Sequence, residues 1–587
     1  MVLESLTTLD FETEAIEGNP LISPPKPVGL AVRWPDGRKE YITDRQVMRN
    51  TWADIRNAGW PMLFHNAPFD LSVARTHLGL DWPHWRQIHD TMYIVYHEDP
   101  YAKSLGLKQS GVTYLGRAPD EQDACKDWIM ENVHPRPGPK NWGAHLARVP
   151  VEILAPYAMQ DVELTHQLFE KLYPTTQIEP YERERELMPI LSAATIKGVR
   201  VNRAGLSEAL ELCTGAFEQA DQLLRTTLAA PTLNCSSSLE LATALGEAGY
   251  VDEWVLTPTG QRSTAMDNLR VNDPDLQSLL KYRSTLKTYL STFIRGWLEK
   301  SEADGRLHPS WNSTRGDRSG GTRTGRLSSS DPNFQNIPNP AELITPKGFP
   351  ELPHLRDYIL PEEGHVWVKR DFSAQEIRLL AHFEEGALAK AFREDPNLDP
   401  HEMARQIIYK LSGKLWPRKS VKQTAFGQIY GMGAPALSAS LGTSQQIARE
   451  IASAYRQAIP GVQSMQDGTK RRGRSGQPIR TWGGRLIYVE PPGLVKGSMR
   501  SFEYKLLNYL IQGSAADQTK QCIIEWDRLR NGEVFMATVH DEINISAPAG
   551  GHAMETLRHC MDEICEFDVP MLSEGFTGPT WGEVGDE

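Results

Sequence analysis

Four side chains spaced by four residues constrain this chain more than any other feature. In RKSVKQTAFGQIYG, Arg418, Lys422, Phe426 and Tyr430 recur at that interval and Gly431 follows. A helix turns roughly 100° per residue, so each step of four drifts only about 40°. The four side chains therefore share one stripe about three turns long. It reads cation, cation, aromatic, aromatic, and the glycine lets a backbone or ligand approach closely. Polyphosphate could lie along the first half and a flat base along the second. A solvated basic turn running into a buried aromatic pair has the same spacing, so the rest of the chain must decide.

At 587 residues the chain is too long for one core, and about three or four domains are expected. No apolar run reaches the ~18 residues of a membrane span, and MVLESLTTLDFE lacks the basic-then-apolar form of a signal peptide. A cytoplasmic protein with no membrane partner is expected. The six cysteines (Cys125, Cys213, Cys235, Cys522, Cys560, Cys565) are scattered with no CxxC pair, which suits a reducing compartment and gives no zinc signature. The net charge of −12 argues weakly against nucleic acid, but a groove needs only local positive potential. Arg315–Arg326 and Lys470–Arg485 could supply it.

Residues 1–180 alternate short apolar strands with helical stretches, an α/β pattern. The charged segment YERERELMPILSAATIKGVRVN reads as helix up to Gly198 and marks a domain junction. Residues 200–310 read as mostly helical, with a Ser/Thr/Pro-rich interruption near 231–264. SSSDPNFQNIPNP is too rich in turn formers for helix, and HVWVKRDFSAQEIRLLAHF reads as a strand entering a helix. A long helix is expected around 501–529, then two apolar strands about a polar tip in FMATVHDEINIS.

The carboxylates fall into two groups. LTTLDFETEA puts Asp10 and Glu12 two apart on a strand, on one face. Burying such a pair is costly unless a cation lies between them. Asp70 follows the short apolar strand of MLFHNAPFDLS, and Asp161 stands one helical turn after Tyr157 in PYAMQD. Asp90, in HDTM, is read as structural. In the second group Asp371 closes a strand, and Asp541 and Glu542 sit at the tip of the C-terminal hairpin. Like charges there are again expensive without a metal, and two ions about 4 Å apart would activate a hydroxyl and steady a leaving pyrophosphate. Ser373 and Glu376 have capping-box spacing at a helix start; Glu376 could equally block a sugar's 2′ position.

Taken together these motifs carry a resemblance. The D-x-E, N-x-x-x-F-D and Y-x-x-x-D segments resemble the three motifs of DEDD 3′–5′ exonucleases in their tyrosine-bearing form. DFSAQEIRLLAHF, RKSVKQTAFGQIYG and VHDE resemble motifs A, B and C of family A DNA polymerases, the bacterial DNA polymerase I family. TRTGRLSSSDPNFQNIP, DPHEMA, LIQGSAAD and YRSTLKTY extend the likeness over nearly the whole chain. The resemblance implies an α/β and α+β multidomain protein, with an RNase H-like exonuclease domain at 1–180 followed by a right-hand polymerase. Linker and thumb would occupy 181–326, palm 327–385 and 490–587, and fingers 386–489.

It also implies roles. Asp371 and Asp541 would bind two Mg²⁺ ions, with Mn²⁺ as an alternative, and Glu542 would support them. Asp10, Glu12, Asp70 and Asp161 would hold two more, with Tyr157 orienting the attacking water. Arg418, Lys422 and His401 would contact the incoming triphosphate, Lys422 also serving catalysis. Phe426 would pack against the sugar, Glu376 would exclude a 2′-OH, and Tyr430 would border the nascent pair. Arg326, Asn508, Gln512 and His540 would hold primer–template DNA. The partners implied are that DNA, dNTPs and replisome proteins such as a helicase-primase and a single-strand binding protein, around a monomeric enzyme.

Where the family usually carries Arg two turns before the Gln of LIQGSAAD, this chain has Tyr504, with Lys505 beside it. The chain starts directly on the exonuclease pattern, so no 5′-nuclease domain is expected. The short stretch between Tyr289 and Arg323 leaves no room for a large thumb insert. This compact form resembles phage replicative enzymes. A single-subunit RNA polymerase shares the R-x3-K-x7-YG pattern but lacks Glu at the position of Glu376 and carries no exonuclease. A non-catalytic DNA-binding relative, or a nuclease with a vestigial polymerase half, should have lost Asp371, Asp541 and Glu542.

Overall fold

The computed structural model describes residues 5–117, 120–138, 141–314, 321–338, 345–495 and 497–584, side chains of 120–123 excepted. The chain begins with a mixed sheet of β1 (Thr7–Thr13), β2 (Pro27–Arg33), β3 (Lys39–Ile42), β4 (Met62–Phe64) and β5 (Ile88–Asp90), in the order β3-β2-β1-β4-β5. β1 pairs antiparallel with β2 and parallel with β4. Its period of two sorts the side chains. Leu9 and Phe11 enter the apolar core, where Phe11 stacks 5.3 Å from Trp52 of helix α1 (Arg45–Asn57). Thr8, Asp10 and Glu12 take the opposite face. Helix α2 (Ala67–Val73) follows β4, and α3 (Val151–Leu172) lies across β1 and β2.

Helix α4 (Ile178–Lys197) carries the charged segment and ends at Gly198, whose φ of 66° breaks the helix there. Two long helical runs follow among the described residues, α5 (Arg203–Thr227) and the stretch 274–300. The interrupted region does contain one helix, Ser238–Glu247, closed at its start by the Ser237 side chain.

The C-terminal half is built on an antiparallel sheet of β6 (His365–Phe372), β7 (Val534–Val539), β8 (Glu542–Pro548) and β9 (Ser573–Gly578), ordered β7-β8-β6-β9. Helices α6 (Gln375–Glu384), α7 (Pro400–Ser412) and α8 (Arg418–Ile429) share one apolar core with the first half of α9 (Leu506–Leu529). Among the described residues no helix is long and apolar enough to cross a membrane.

The halves meet along a seam of α4 against α9. Its centre is ionic and buried. Lys520 is bonded to Glu184, with side chains 1% and 2% exposed, and donates 3.2 Å to the Ser313 carbonyl. Arg485 pairs with Asp517 at 2.8 Å, and Arg183 donates to Gln521 at 3.1 Å. Arg485, counted above in a basic stretch, is therefore committed to an internal carboxylate; Arg315 and Arg318 of the other stretch lie outside the described residues.

The capping-box reading of Ser373 and Glu376 does not hold. Ala374, at φ 57°, occupies the N-cap of α6, with no side-chain hydrogen bond closing it. The Ser373 amide is already spent on the Leu572 carbonyl at 2.8 Å, which ties this turn to the strand beside it. Glu376 is thereby released for other partners.

Candidate active sites

A cleft of about 950 Å³ opens between the four-stranded sheet and α8. Asp371 is the penultimate residue of β6 and sits opposite Glu542 on β8. Asp541 lies in the tight turn between β7 and β8, where His540 takes φ 57°. The Phe372 amide donates 3.3 Å to the Asp541 carbonyl, drawing the turn onto β6. The Asp371 and Asp541 carboxyls hydrogen-bond one another, and burial pushes Asp541 above the usual carboxylate range. Two acids buried side by side are a site where a divalent ion relieves both. Glu542 is held slightly apart: it accepts 2.9 Å from Asn544 and lies 3.5 Å from the Lys369 ammonium.

Across the cleft stands the stripe of α8. Val421, Ala425 and Ile429 bury the opposite face, while Arg418 and Lys422 are exposed and Phe426 and Tyr430 half-buried. Tyr430 has become the helix C-cap, and its ring still stacks on Phe426 at 6.1 Å and 18°. Arg418 donates 2.6 Å to Asp399, which also caps α7 through the His401 and Glu402 amides. His401 packs 5.9 Å from Phe426, and burial pushes its imidazole down to about 4. Glu376 accepts from Arg326 on one oxygen and from the Tyr430 hydroxyl at 3.0 Å on the other. Burial and the charge of Glu376 push Tyr430 up to about 12.

Asn508 and Gln512 stand one turn apart on α9, outside the residues that line the cleft. Gln512 hydrogen-bonds Tyr430, and the Asn508 Nδ2 is buried without a partner. Tyr504 packs on Gly431, where an added Cβ would stand 3.0 Å from both its ring and its carbonyl oxygen.

A second acidic site lies on β1. Single oxygens of Asp10, Glu12 and Asp161 come within 4.8 Å of one another. Burial raises Asp10 to about 7; burial and the charge of Asp10 raise Glu12 to about 8. Such oxygens fit a hard cation. Asp70 is not in that set: it accepts 2.9 Å from the Phe11 amide, between the two strand acids, and burial and the charge of Asp10 push it well up. Tyr157 projects from α3 one turn before Asp161, its phenol pushed up by burial and by Glu12 and Asp10. Asp90 bonds the Asn66, Ala67 and Met92 amides at 3.0, 2.8 and 2.8 Å, a structural role.

Sequence reasoning missed two residues. Lys108 reaches into the second site, bonded to Asp161 with its ammonium 4.5 Å above the Tyr157 ring. No spacing rule points to it. Asp399, the partner of Arg418, was legible as a helix cap in DPHEMA but not as part of the cleft.

Paired strand carboxylates facing a cationic–aromatic helix, with a separate acidic site on a mixed sheet, define a class: a family A DNA polymerase carrying an exonuclease-type domain. Residues 206–583 match the model of DNA polymerase family A, and residues 3–177 match that of the 3'-5' exonuclease. The chain belongs to DNA polymerase family A. It is 31% identical to the thermostable DNA polymerase I of Thermus filiformis over 479 residues, covering 77% of this chain and 53% of that one. It is 26% identical over 651 residues to DNA polymerase DpoZ of Salmonella phage PMBT28, covering 99% and 98%. The chain thus spans about half the length of that bacterial relative and nearly all of the phage one. The POL domain of Pol1 from M. smegmatis, in complex with DNA primer-template and dNTP, superposes with a TM-score of 0.76 at 22% identity, covering 97% of this chain and 100% of that one. At that identity the likeness speaks for the fold alone.

Proposed function

We propose that the chain copies DNA from a primer–template and removes mispaired 3′ ends, in phage replication inside the host cytoplasm. The observation that carries this is the Asp371–Asp541 pair facing Arg418, Lys422 and Phe426 across one cleft. Asp371 and Asp541 would hold two Mg²⁺ ions, or Mn²⁺, which supply charge neutralisation and an activated primer hydroxyl. Glu542, fixed by Asn544 and Lys369, keeps the turn beneath that pair rigid.

Arg418, Lys422 and neutral His401 receive the triphosphate, and Lys422 places a positive charge where the pyrophosphate departs. Phe426 lies along the sugar, and Glu376, clamped by Arg326 and Tyr430, closes its 2′ side. The Tyr430 ring borders the new pair, and Arg326, Asn508, Gln512 and His540 follow the primer–template. In the exonuclease site, Asp10, Glu12, Asp161 and the adjacent Asp70 would hold the metals, and Tyr157 orients the attacking water.

Palm, fingers and thumb are assigned to 327–385 with 490–587, 386–489 and 181–326. Helicase-primase and single-strand binding protein are the partners such a monomer would meet. Base selection at one site discriminates by only a few kcal/mol, so a second, hydrolytic site serves accuracy. Primer extension with Mg²⁺ and four dNTPs tests the reading. Extension should be lost in Asp371→Asn while the 3′ end is still trimmed. Extension surviving that change would overturn it.

A further inference from the structure

We propose that Lys108 is a built-in counter-cation of the exonuclease site, occupying the place of a divalent ion until metal and a DNA strand end arrive together. The inference rests on the exonuclease reading above and deepens it. The lysine is bonded to Asp161, its ammonium lies above Tyr157, and its charge also bears on Asp10 and Glu12. Its side chain is 24% exposed and that of Asp161 8%, so the pair is largely withdrawn from water.

The root of the side chain is packed against the helix that carries Asp161. Three residues on, Gly111 lies so close to Leu164 of α3 that an added Cβ would stand 2.8 Å from a leucine methyl. A side chain at 111 would force Leu164 or this segment to shift. The lysine thus starts from a segment held close to α3, and its ammonium reaches both Asp161 and the Tyr157 ring.

An ammonium and a divalent ion compete for the same carboxylate oxygens. Metal binding must therefore expel Lys108, and metal alone binds more weakly than the carboxylates would allow. The expelled ammonium stays tethered by its four-carbon stem beside Tyr157. A strand end placed there offers it a phosphate in exchange for Asp161. Metal and DNA then bind cooperatively, and by linkage each raises the affinity of the other by the same factor. The site would rest until a frayed end reaches it.

The test is Mn²⁺ titration, read by electron paramagnetic resonance, with and without a phosphorothioate single strand that resists cleavage. The background is Asp371→Asn with Asp541→Asn, so that the polymerase site contributes no signal. In Lys108→Met, Mn²⁺ alone should bind about tenfold tighter or more, the worth of one charge-assisted hydrogen bond. The tightening caused by the single strand, present with Lys108, should vanish. Lys108→Gln repeats the measurement should methionine disturb folding, and Lys108→Arg should keep the parent behaviour. Equal or weaker Mn²⁺ binding without the lysine overturns the proposal. Binding that survives Asp10→Ala with Glu12→Ala shows instead that the cluster is no metal site, and the exonuclease reading falls first.

Discussion

Replacing Lys520 by methionine should loosen the seam between the two halves far more than a surface change would. The substitution nearly conserves volume and removes the charge, together with the bond to the Ser313 carbonyl. It leaves the Glu184 carboxylate, 2% exposed, without its cation in a buried interface. Breaking a buried pair from one side costs about 3–5 kcal/mol, because the remaining charge is uncompensated. At 1.36 kcal/mol per tenfold, local opening of the seam becomes about 160 to 4,700 times more frequent.

Replacing both partners, Glu184→Leu with Lys520→Met, removes that penalty and should restore most of the stability. Amide hydrogen exchange on peptides from α4 and α9 reads this local opening directly and does not require the large protein to unfold in one step. Fast exchange in Lys520→Met, slow in the double variant, is the expected pattern. A single variant exchanging like the parent, or a double variant whose loss equals the sum of two singles, would refute the argument.

Other consequences can be checked alongside. Phe426→Tyr places a hydroxyl near the sugar's 3′ position, so dideoxynucleotide incorporation should rise about tenfold or more in competition with the dNTP, measured with excision disabled. Glu376→Ala frees Arg326 and Tyr430 and opens the 2′ side, so ribonucleotides should enter more readily; an unchanged ratio would place the sugar elsewhere. Asp10→Ala with Glu12→Ala should abolish 3′ excision and spare extension of a matched primer. Burial holds His89 and His97 well below 6.5, neutral in the folded protein. Unfolding lets both take up protons below that pH, so their contribution is full above 6.5 and is lost as the pH falls; melting temperatures between pH 7 and 5 should show the decline, and His97→Gln should flatten it.

Local periodicity made part of this visible from the residues. The two-residue spacing of Asp10 and Glu12 and the four-residue spacing from Arg418 to Tyr430 each fix a face, and the structure keeps both faces. The meeting of Asp371 with Asp541 lies some 170 residues apart in sequence, and only the order of motifs hinted at it. Ser373 and Glu376 misled because a local rule ignores the neighbouring strand that already holds the Ser373 amide. Glu184, Arg485, Asp517 and Lys520 look like solvated surface charges in the sequence. They are buried because each finds its partner on a distant segment, and no window of the sequence shows that.

Helix α9 has a consequence for how the two sites could share one DNA. Its 24 residues make a rod about 36 Å long, with Asn508 and Gln512 toward the polymerase cleft and Lys520 locked into the helix that leads from the exonuclease sheet. A rod anchored in this way does not flex like a linker, so the two acidic sites would keep a fixed separation. On the proposed function, a primer end that visits both sites would have to cross that fixed gap by unwinding itself. The bases it must unpair to do so set how readily a correct end leaves, and a mismatched end begins the journey partly unpaired.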